Sequence, residues 1–202
     1  MLELLLQRLE PALPCPPPMP YARPDPAPAA NGRPLLQPID QALFDQVAAE
    51  ARESPRLRRN HNLHAEPDLV QRFLNVLQPG TYVRPHRHRR ALPGAGFECF
   101  VVLQGAIGLL LLDDSGTVLR RERLEACGPL RGMELAEGQL HTLVALTPDA
   151  VMFEIKQGPY DPAADKEFLE AFPAEGTAAA AAQERAWRAL FDSPSGAASL
   201  TP

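Results

Sequence analysis

Three of the five histidines in this 202-residue chain stand at spacings that could hold a metal ion. His86 and His88 are two residues apart in a stretch with strand-like alternation, so both side chains should leave the same face of the strand. Neutral imidazoles are common ligands of transition metals, and two on one face form part of a metal site. Taken alone, a His-x-His pair could also be two solvated histidines in an arginine-rich loop. The residues around the pair are therefore needed to choose between the two interpretations.

A glycine, a glutamate and a third histidine surround this pair in a regular pattern. Five residues separate Gly80 from His86, and six separate Glu98 from the next glycine. Glu98 occupies a core-facing position of an apolar stretch, where a carboxylate is costly unless it is paired or bound to a metal. His141 begins another apolar run, shortly after a glycine. The combination indicates a metal site within β structure.

Short apolar runs separated by turn residues are the elements that must position these side chains. Glycine, proline or aspartate ends each run, which is typical of strands in an all-β sandwich or barrel. The region is too short and too poor in helical periodicity for alternating strands and helices. The sequence predicts six to eight strands from the runs 69–77, 81–88, 97–103, 106–112, 117–124, 132–135, 140–146 and 151–155.

The flanking regions differ in composition from this predicted barrel, which spans residues 68–160. Eleven prolines fall within the first 40 residues, so residues 1–38 are predicted to form an extended, largely disordered arm. Residues 39–67 are predicted to be a helix over 40–53, capped by Asp40, and a connector. Residues 161–202 are predicted to be a helical extension and tail, with a helix from Asp161 to about Phe172 and an alanine-rich stretch over 177–191.

Composition argues against several classes of partner. The formal net charge is −5 and no segment is strongly basic, which argues against a nucleic-acid partner. No run of 18 apolar residues occurs, so we expect no membrane span. The three cysteines form no CxxC pair, and the simplest expectation is a cytoplasmic protein.

The histidine and glutamate spacings resemble the two cupin motifs, G-x5-H-x-H-x3-4-E-x6-G and P-x-G-x2-H-x3-N. This sequence departs from them in the nine residues between His88 and Glu98, and in Ala136 and Ala145, which replace the proline and the asparagine. The resemblance implies an all-β, cupin-type double-stranded β-helix, or jelly-roll barrel, with flanking N- and C-terminal helices. It also implies that His86, His88, Glu98 and His141 meet at one metal ion.

A closer resemblance is to the WbuC family of cupin-fold metalloproteins, over roughly residues 39–176. That family is associated with gene clusters for surface polysaccharide (O-antigen) synthesis, and the resemblance implies a fold and a metal but no assigned reaction. The segments that carry it are Ser54-Pro55-Arg56, Asn62-Leu63-His64, Gln71 to Asn75, Pro79 to His88, Phe153 to Tyr160 and Asp165-Lys166.

Three imidazoles and one carboxylate would leave one or two open positions on a five- or six-coordinate ion. An open position is typical of a site that binds water or substrate, whereas closed tetrahedral sites are usually structural. The ligand types suit one divalent transition metal ion, which could be Fe, Mn, Ni, Co or Zn.

Other polar residues near these motifs are candidates for handling a substrate. Arg84 is expected to share a face with the histidine pair, within a group of arginines that could attract an anion or could be a solvated loop. Lys156 and Tyr160 are the candidate catalytic residues as proton donors, although Gly158-Pro159 could simply turn the chain there. Asn62 and His64 could cover the mouth of the barrel and bind substrate, or could be part of a polar connector.

Two functions follow, and the sequence leaves the choice between them open. The first is a metal-dependent enzyme, of isomerase, epimerase or dioxygenase type, that acts on a small polar, anionic or nucleotide-sugar substrate. The second is a non-catalytic, metal-stabilised module that binds a sugar or nucleotide-sugar. A metal-dependent regulator ranks last, because the sequence has no pair of DNA-binding helices. Exposed strand edges and the alanine-rich helix are compatible with a homodimer.

Overall fold

The computed structural model of the chain describes residues 36–89, 96–161, 163 and 165–192. The predicted proline-rich arm up to residue 35, residues 90–95 of the predicted loop before Glu98, and the tail after residue 192 lie outside the described residues.

Two helices flank a set of ten strands. The helices are α1 (Gln41–Glu53) and α2 (Ala178–Ala189). The strands are β1 (Arg58–Asn62), β2 (Val70–Leu77), β3 (His86–Arg87), β4 (Phe97–Gln104), β5 (Ala106–Leu112), β6 (Val118–Glu125), β7 (Gly132–Ala136), β8 (His141–Ala145), β9 (Ala150–Gln157) and β10 (Glu167–Phe168).

The strands form two antiparallel five-stranded sheets. Sheet one has the order β1-β2-β9-β4-β7, and sheet two has the order β10-β3-β8-β5-β6. From β2 onward the chain changes sheet at every connection except the one between β5 and β6. This alternation winds the chain into a double-stranded β-helix. The predicted all-β, cupin-type jelly roll with a helix at each end is confirmed.

Three apolar clusters hold these layers together. The central cluster lies between the sheets and includes Phe100 of β4, Met152 of β9 and Leu109 of β5. A second cluster packs α1 against the outer face of sheet one. The third packs α2 against the outer face of sheet two, where Trp187 contacts the sheet. Both outer sheet faces are therefore partly covered, as burial of their apolar side chains requires.

The N-terminal helix agrees with its prediction in both position and capping. Asp40 adopts an extended conformation, and its carboxylate accepts a hydrogen bond from the Leu43 amide at 3.0 Å. This satisfies one of the amides that a helix start leaves without an intrahelical partner. The helix then ends at Glu53, before Ser54 and Pro55. Neither α1 nor α2 is long and apolar enough to cross a membrane, and the same holds for every helix in the described ranges.

The helix predicted from Asp161 to Phe172 is wrong over the described residues 165–172. This stretch instead contains β10, which pairs antiparallel with β3. Glu167 lies opposite Arg87 and forms an ion pair with it, and Phe168 lies opposite His86. Tertiary strand pairing therefore overrides the local helix-start pattern of Asp161-Pro162.

Two further boundaries differ from the sequence prediction. The run 81–88 is a strand only at His86–Arg87, and Pro85 just before it has no amide hydrogen to donate to a ladder. The predicted connector contains an additional strand, β1, which pairs with β2 along its whole length. Its sequence, RRNHN, has too few apolar residues to show strand alternation.

Candidate metal centre

Two neighbouring strands of sheet two bring the three predicted histidines together. His86 of β3 lies directly opposite His141, the first residue of β8, and their ring centroids are 4.6 Å apart. His88 follows β3, with its ring 5.1 Å from that of His86. All three side chains are buried, and their candidate ligand atoms all lie within 4.8 Å of one another.

Each imidazole uses Nδ1 to contact a backbone carbonyl. The Nδ1 of His86 lies 2.9 Å from the carbonyl oxygen of Arg84, and that of His141 lies 3.0 Å from the carbonyl oxygen of Gln139. The Nδ1 of His88 contacts the carbonyl oxygen of Asp165. A carbonyl can only accept, so these contacts assign the proton to Nδ1 and leave a lone pair on Nε2. Such outer contacts orient metal-binding histidines.

Glu98 faces this cluster from sheet one. Its carboxylate oxygens lie 3.3 Å from Nε2 of His88 and 3.1 Å from Nε2 of His141. Burial alone would raise the pKa of Glu98, but His141 and His88 outweigh that effect and hold its pKa well below the usual value. Burial, together with Lys166 and His141, lowers the pKa of His86 well below the usual value. Without a metal, the His86 imidazole is therefore neutral and the Glu98 carboxylate is ionised.

This donor set fits a cation. Within the described part of the chain, neither Nε2 of His88 nor Oε2 of Glu98 has a hydrogen-bond partner of acceptable geometry, although both atoms are buried. An imidazole lone pair and a carboxylate oxygen at such distances repel each other unless a positive charge lies between them. A divalent transition metal would satisfy both, and nitrogen and oxygen ligands suit Fe, Mn, Co, Ni or Zn.

A second buried glutamate, which the sequence analysis missed, lies beneath Glu98. Glu154 of β9 accepts a hydrogen bond from the side-chain amide of Asn75, and its carboxyl interacts electrostatically with that of Glu98. Burial and the adjacent Glu98 charge raise the pKa of Glu154 well above its usual value, so its carboxyl is the protonated partner of the two. The alternation of Glu154 and Lys156 on β9 was the one sequence pattern that could have indicated this residue.

Lys156, one of the two predicted catalytic residues, points into the same end of the barrel. Its Nζ donates hydrogen bonds of 3.2 and 2.9 Å to the two carboxylate oxygens of Asp165, and both side chains are buried. The Nζ also lies 5.7 Å from the centre of the Phe73 ring. Lys156 is the register partner of Glu98, which places it beside the predicted metal ligands.

The remaining predicted site residues lie further out. The guanidinium of Arg84 is 3.2 Å from Glu170 and 5.4 Å from the Phe168 ring, at the edge of β3. Tyr160 is 42% exposed, and its amide donates to the carbonyl of Glu66. This backbone hydrogen bond joins Tyr160 to the connector that contains Glu66.

Asn62 and His64 lie at the end of β1 and just beyond it. Asn62 is exposed, and its register partner is Phe73 of β2. His64 is half-buried, with Nδ1 against the backbone amide and carbonyl of Arg72 and its ring 5.8 Å from the Phe73 ring. These contacts attach His64 to the backbone of β2.

The other described arginines near the histidines are paired with carboxylates. Arg87 contacts both Glu167 and Asp114, and Arg89 contacts Glu167. The sequence predicts that Arg84, Arg87, Arg89 and Arg90 could form a cationic rim around the histidine pair. Its described members are paired with carboxylates, and an anionic substrate would have to compete with these carboxylates. Arg90, also predicted for this rim, lies outside the described residues.

A cleft gives access to the centre between β4 and the turn that joins β7 to β8. Its interior volume is about 10 Å³, which is room for about one water molecule, and His88, Glu98 and His141 are among its lining residues. Its walls include Phe97, Leu135 and Gln139. As it stands, this cleft gives a water molecule a route to the predicted open metal position.

Comparisons of the sequence with known proteins give limited matches. A family model described as a domain of unknown function, DUF6016, matches residues 39–124, which is α1 through most of β6. A search of curated proteins gives no match.

Solved structures resemble about half of the chain. KdgF from Halomonas sp. is 20% identical, with a TM-score of 0.39 over 52% of this chain and 82% of its own. The capsular polysaccharide assembling protein CapF from Staphylococcus aureus is 19% identical, with a TM-score of 0.45 over 55% of this chain and 30% of its own. The Cnp3 cupin domain from Schizosaccharomyces pombe is 14% identical, with a TM-score of 0.37 over 50% of this chain and 60% of its own. This chain thus spans less than two thirds of the CapF and Cnp3 chains.

Proposed function

We propose that this protein is a cytoplasmic, cupin-type metal-binding protein that holds one divalent transition metal ion through His86, His88, His141 and Glu98. The observation that carries the proposal is the convergence of the three buried imidazoles, each with Nδ1 on a backbone carbonyl and Nε2 left to bind. The carboxylate of Glu98 completes the set. The resemblance of the sequence to the two cupin motifs supports the same ligand set.

We further propose that the metal centre acts on a small polar, sugar-related substrate in surface polysaccharide synthesis. When bound, the ion would polarise a carbonyl or hydroxyl oxygen of the substrate, or bind oxygen if it is iron. The substrate would enter by the cleft lined by Phe97, Leu135 and Gln139, which would have to widen to admit it. Arg84 would exchange its pair with Glu170 for an anionic group of the substrate. The catalytic use of Lys156 and Tyr160 stays a prediction.

Elemental analysis tests the metal proposal. Protein purified without chelator should contain about one equivalent of transition metal, and the double variant His86→Ala/His88→Ala should contain none, because two imidazole ligands are gone. His61→Ala is the matched control, since His61 lies on β1 outside the centre. Absence of metal from the wild type, or equal metal in the double variant, would contradict the proposal.

A non-catalytic sugar-binding module is the second candidate. One observation favours it: the Nζ of Lys156 is already engaged by both oxygens of Asp165. Incubation of the metallated protein with nucleotide-sugars and monosaccharide phosphates, followed by mass spectrometry, separates the two functions. New products would support the enzyme, and saturable binding without a change of mass would support the module.

A further inference from the structure

The three histidines differ in where their Nδ1 acceptors come from. His86 and His141 each use the carbonyl of the residue two positions earlier in the chain. These contacts form as soon as the local segment takes its conformation. The acceptor for His88 is the carbonyl of Asp165, 77 residues away in sequence. The orientation of His88 therefore depends on a distant part of the chain.

Asp165 begins a stretch that lies along the edge of sheet two. We name this stretch, residues 165–170, the closing segment. Its strand β10 pairs with β3, and the amide of Leu169 donates a 2.9 Å hydrogen bond to the carbonyl of Pro85. Its outer contacts are exposed ion pairs, such as Glu170 with Arg84. Exposed ion pairs of this kind contribute little to stability.

The inner contact of the closing segment is of a different kind. The carboxylate of Asp165 lies 2.9 and 3.2 Å from Nζ of Lys156, and the two side chains are only 6% and 5% exposed. Removing one partner of a buried ion pair leaves the other charge without compensation, so the remaining group is driven toward water. The same Asp165 carboxylate lies 3.7 Å from Nδ1 of His88.

We propose that the Lys156–Asp165 ion pair is a positioning device that holds the closing segment against the barrel and thereby fixes the His88 ring for metal binding. Lys156 itself is held by β9, between Gln71 of β2 and Glu98 of β4. The rigid sheet thus sets the place of Asp165, and the Asp165 carbonyl sets the ring of His88. Lys156 and Asp165 are positioning residues in this proposal, which rests on the proposed metal function for its consequence.

The ring orientation can be tested in the metal-free protein by nitrogen-15 NMR of labelled histidines. In the wild type we expect His88, identified by the signal lost in His88→Gln, to show the Nδ1-protonated tautomer. In Lys156→Met its two nitrogen shifts should move toward the average of the two tautomers. His86 and His141 should keep their shifts, because their acceptors are local. Unchanged His88 shifts, or equal changes in all three rings, would overturn the proposal.

Cobalt titration of the same proteins measures the consequence. Lys156→Met should bind Co(II) about tenfold or more weakly, which is the effect seen when an outer contact of a metal ligand is lost. Glu170→Gln, which breaks only the exposed pair on the same segment, should bind as the wild type does. Equal losses in the two variants would overturn the proposal. If Lys156→Met does not fold, Asp165→Asn, which keeps the backbone carbonyl, replaces it in both measurements.

The two experiments separate failure of this proposal from failure of the proposed function. If the wild type binds no Co(II), the metal proposal fails, but the NMR measurement on the metal-free protein still decides whether the ion pair orients His88. If the wild type binds Co(II) and Lys156→Met binds it equally well with unchanged His88 shifts, the positioning proposal alone fails.

Discussion

Tyr82 connects the barrel with the helix that covers sheet two. Its ring stacks on Trp187 of α2 with centroids 5.8 Å apart and planes within 1°, and its hydroxyl donates a 3.0 Å hydrogen bond to the carbonyl of Pro173. Burial, with a contribution from Glu175, raises its pKa to about 12. The buried phenol thus resists ionisation while the protein is folded.

Alkaline titration should reveal this tyrosine. The folded pKa lies above the unfolded value of about 10, so the folded state binds more protons between these values and stability should fall as the pH rises from about 10 toward 12. In the wild type, tyrosinate absorbance should include a step centred near pH 12. Tyr82→Phe should remove that step and flatten the alkaline loss of stability. A step that persists in Tyr82→Phe would contradict the assignment.

At the scale of one side chain, the stability of the histidine centre depends on which ring nitrogen donates and which accepts, as much as on the distances between atoms. Each backbone carbonyl fixes one ring nitrogen as the donor, and the other is left as an acceptor that faces Glu98 or a second histidine. Buried acceptors that face each other are costly. A cation bound at the centre would satisfy the acceptors that the carbonyl contacts leave on the rings.

Gly132 shows how closely two strands of sheet one approach. A Cβ atom at this position would lie 2.3 Å from the carbonyl oxygen of Phe100 and 3.2 Å from the Cα of Val101. Both neighbours are backbone atoms of β4, the strand that carries Glu98, so neither can move without disturbing the ladder. Only a residue without a side chain fits the start of β7.

Gly132→Ala should therefore loosen the pairing of β7 with β4 and destabilise the fold by about 1 to 3 kcal/mol, as overpacking typically does. Hydrogen exchange of the β7 amides and urea denaturation measure the two effects. Glu134→Gln is the control, because Glu134 is an exposed residue on the same strand. Wild-type exchange rates in Gly132→Ala would contradict this prediction and show that the β4 backbone can shift enough to accommodate a Cβ atom.

At the scale of the whole molecule, the barrel has two different ends. One end is filled by the central apolar cluster, which includes Leu109, Leu143 and Met152. The other end is polar and holds the histidines, Glu98, Glu154 and Lys156. The apolar end and the two covered outer faces stabilise the fold, and that stability offsets the cost of burying so many polar groups at the mouth.

Metal should stabilise the whole fold if the proposed site binds it. A ligand that binds only the folded state at about 100 times its Kd adds about 2.7 kcal/mol, which is about 5 to 10 °C in Tm for a chain of this size. Added Zn(II) or Co(II) should raise Tm in calorimetry, and EDTA should reverse the shift. His61→Ala should respond as the wild type does. An equal shift in His86→Ala/His88→Ala would show that the metal binds elsewhere.

Local patterns were enough to predict most of the barrel. The apolar runs gave β2, β4 and β5 nearly at their observed bounds, because alternation and turn residues are local properties of strands. The spacing of His86 and His88 predicted two rings on one side of the barrel, and both are buried there. The nine residues between His88 and Glu98 did not prevent Glu98 from reaching the histidines, because β4 itself sets its position.

Other features depended on contacts between distant residues. The local sequence around Asp165 predicts a helix and gives no sign of a site residue. Only its ion pair with Lys156 and its contact with His88 make Asp165 part of the centre. Glu154 became recognisable as a site residue only when the register of β4 and β9 paired it with Phe100, which places it diagonally from Glu98 on the same face of the sheet. Arg84 and Arg87 stay charged but are paired with Glu170 and Glu167, which are about 80 residues further along the chain.

By itself, then, the sequence determined the β architecture and four candidate ligand positions, since residue periodicity and turn chemistry act over a few residues. Tertiary structure alone decided which nitrogen of each ring is left to bind, which carboxyl beside Glu98 stays protonated and which segment supplies the acceptor for His88. Those properties depend on electrostatics and hydrogen bonds between groups up to 77 residues apart, and such pairings are set only when the sheets come together.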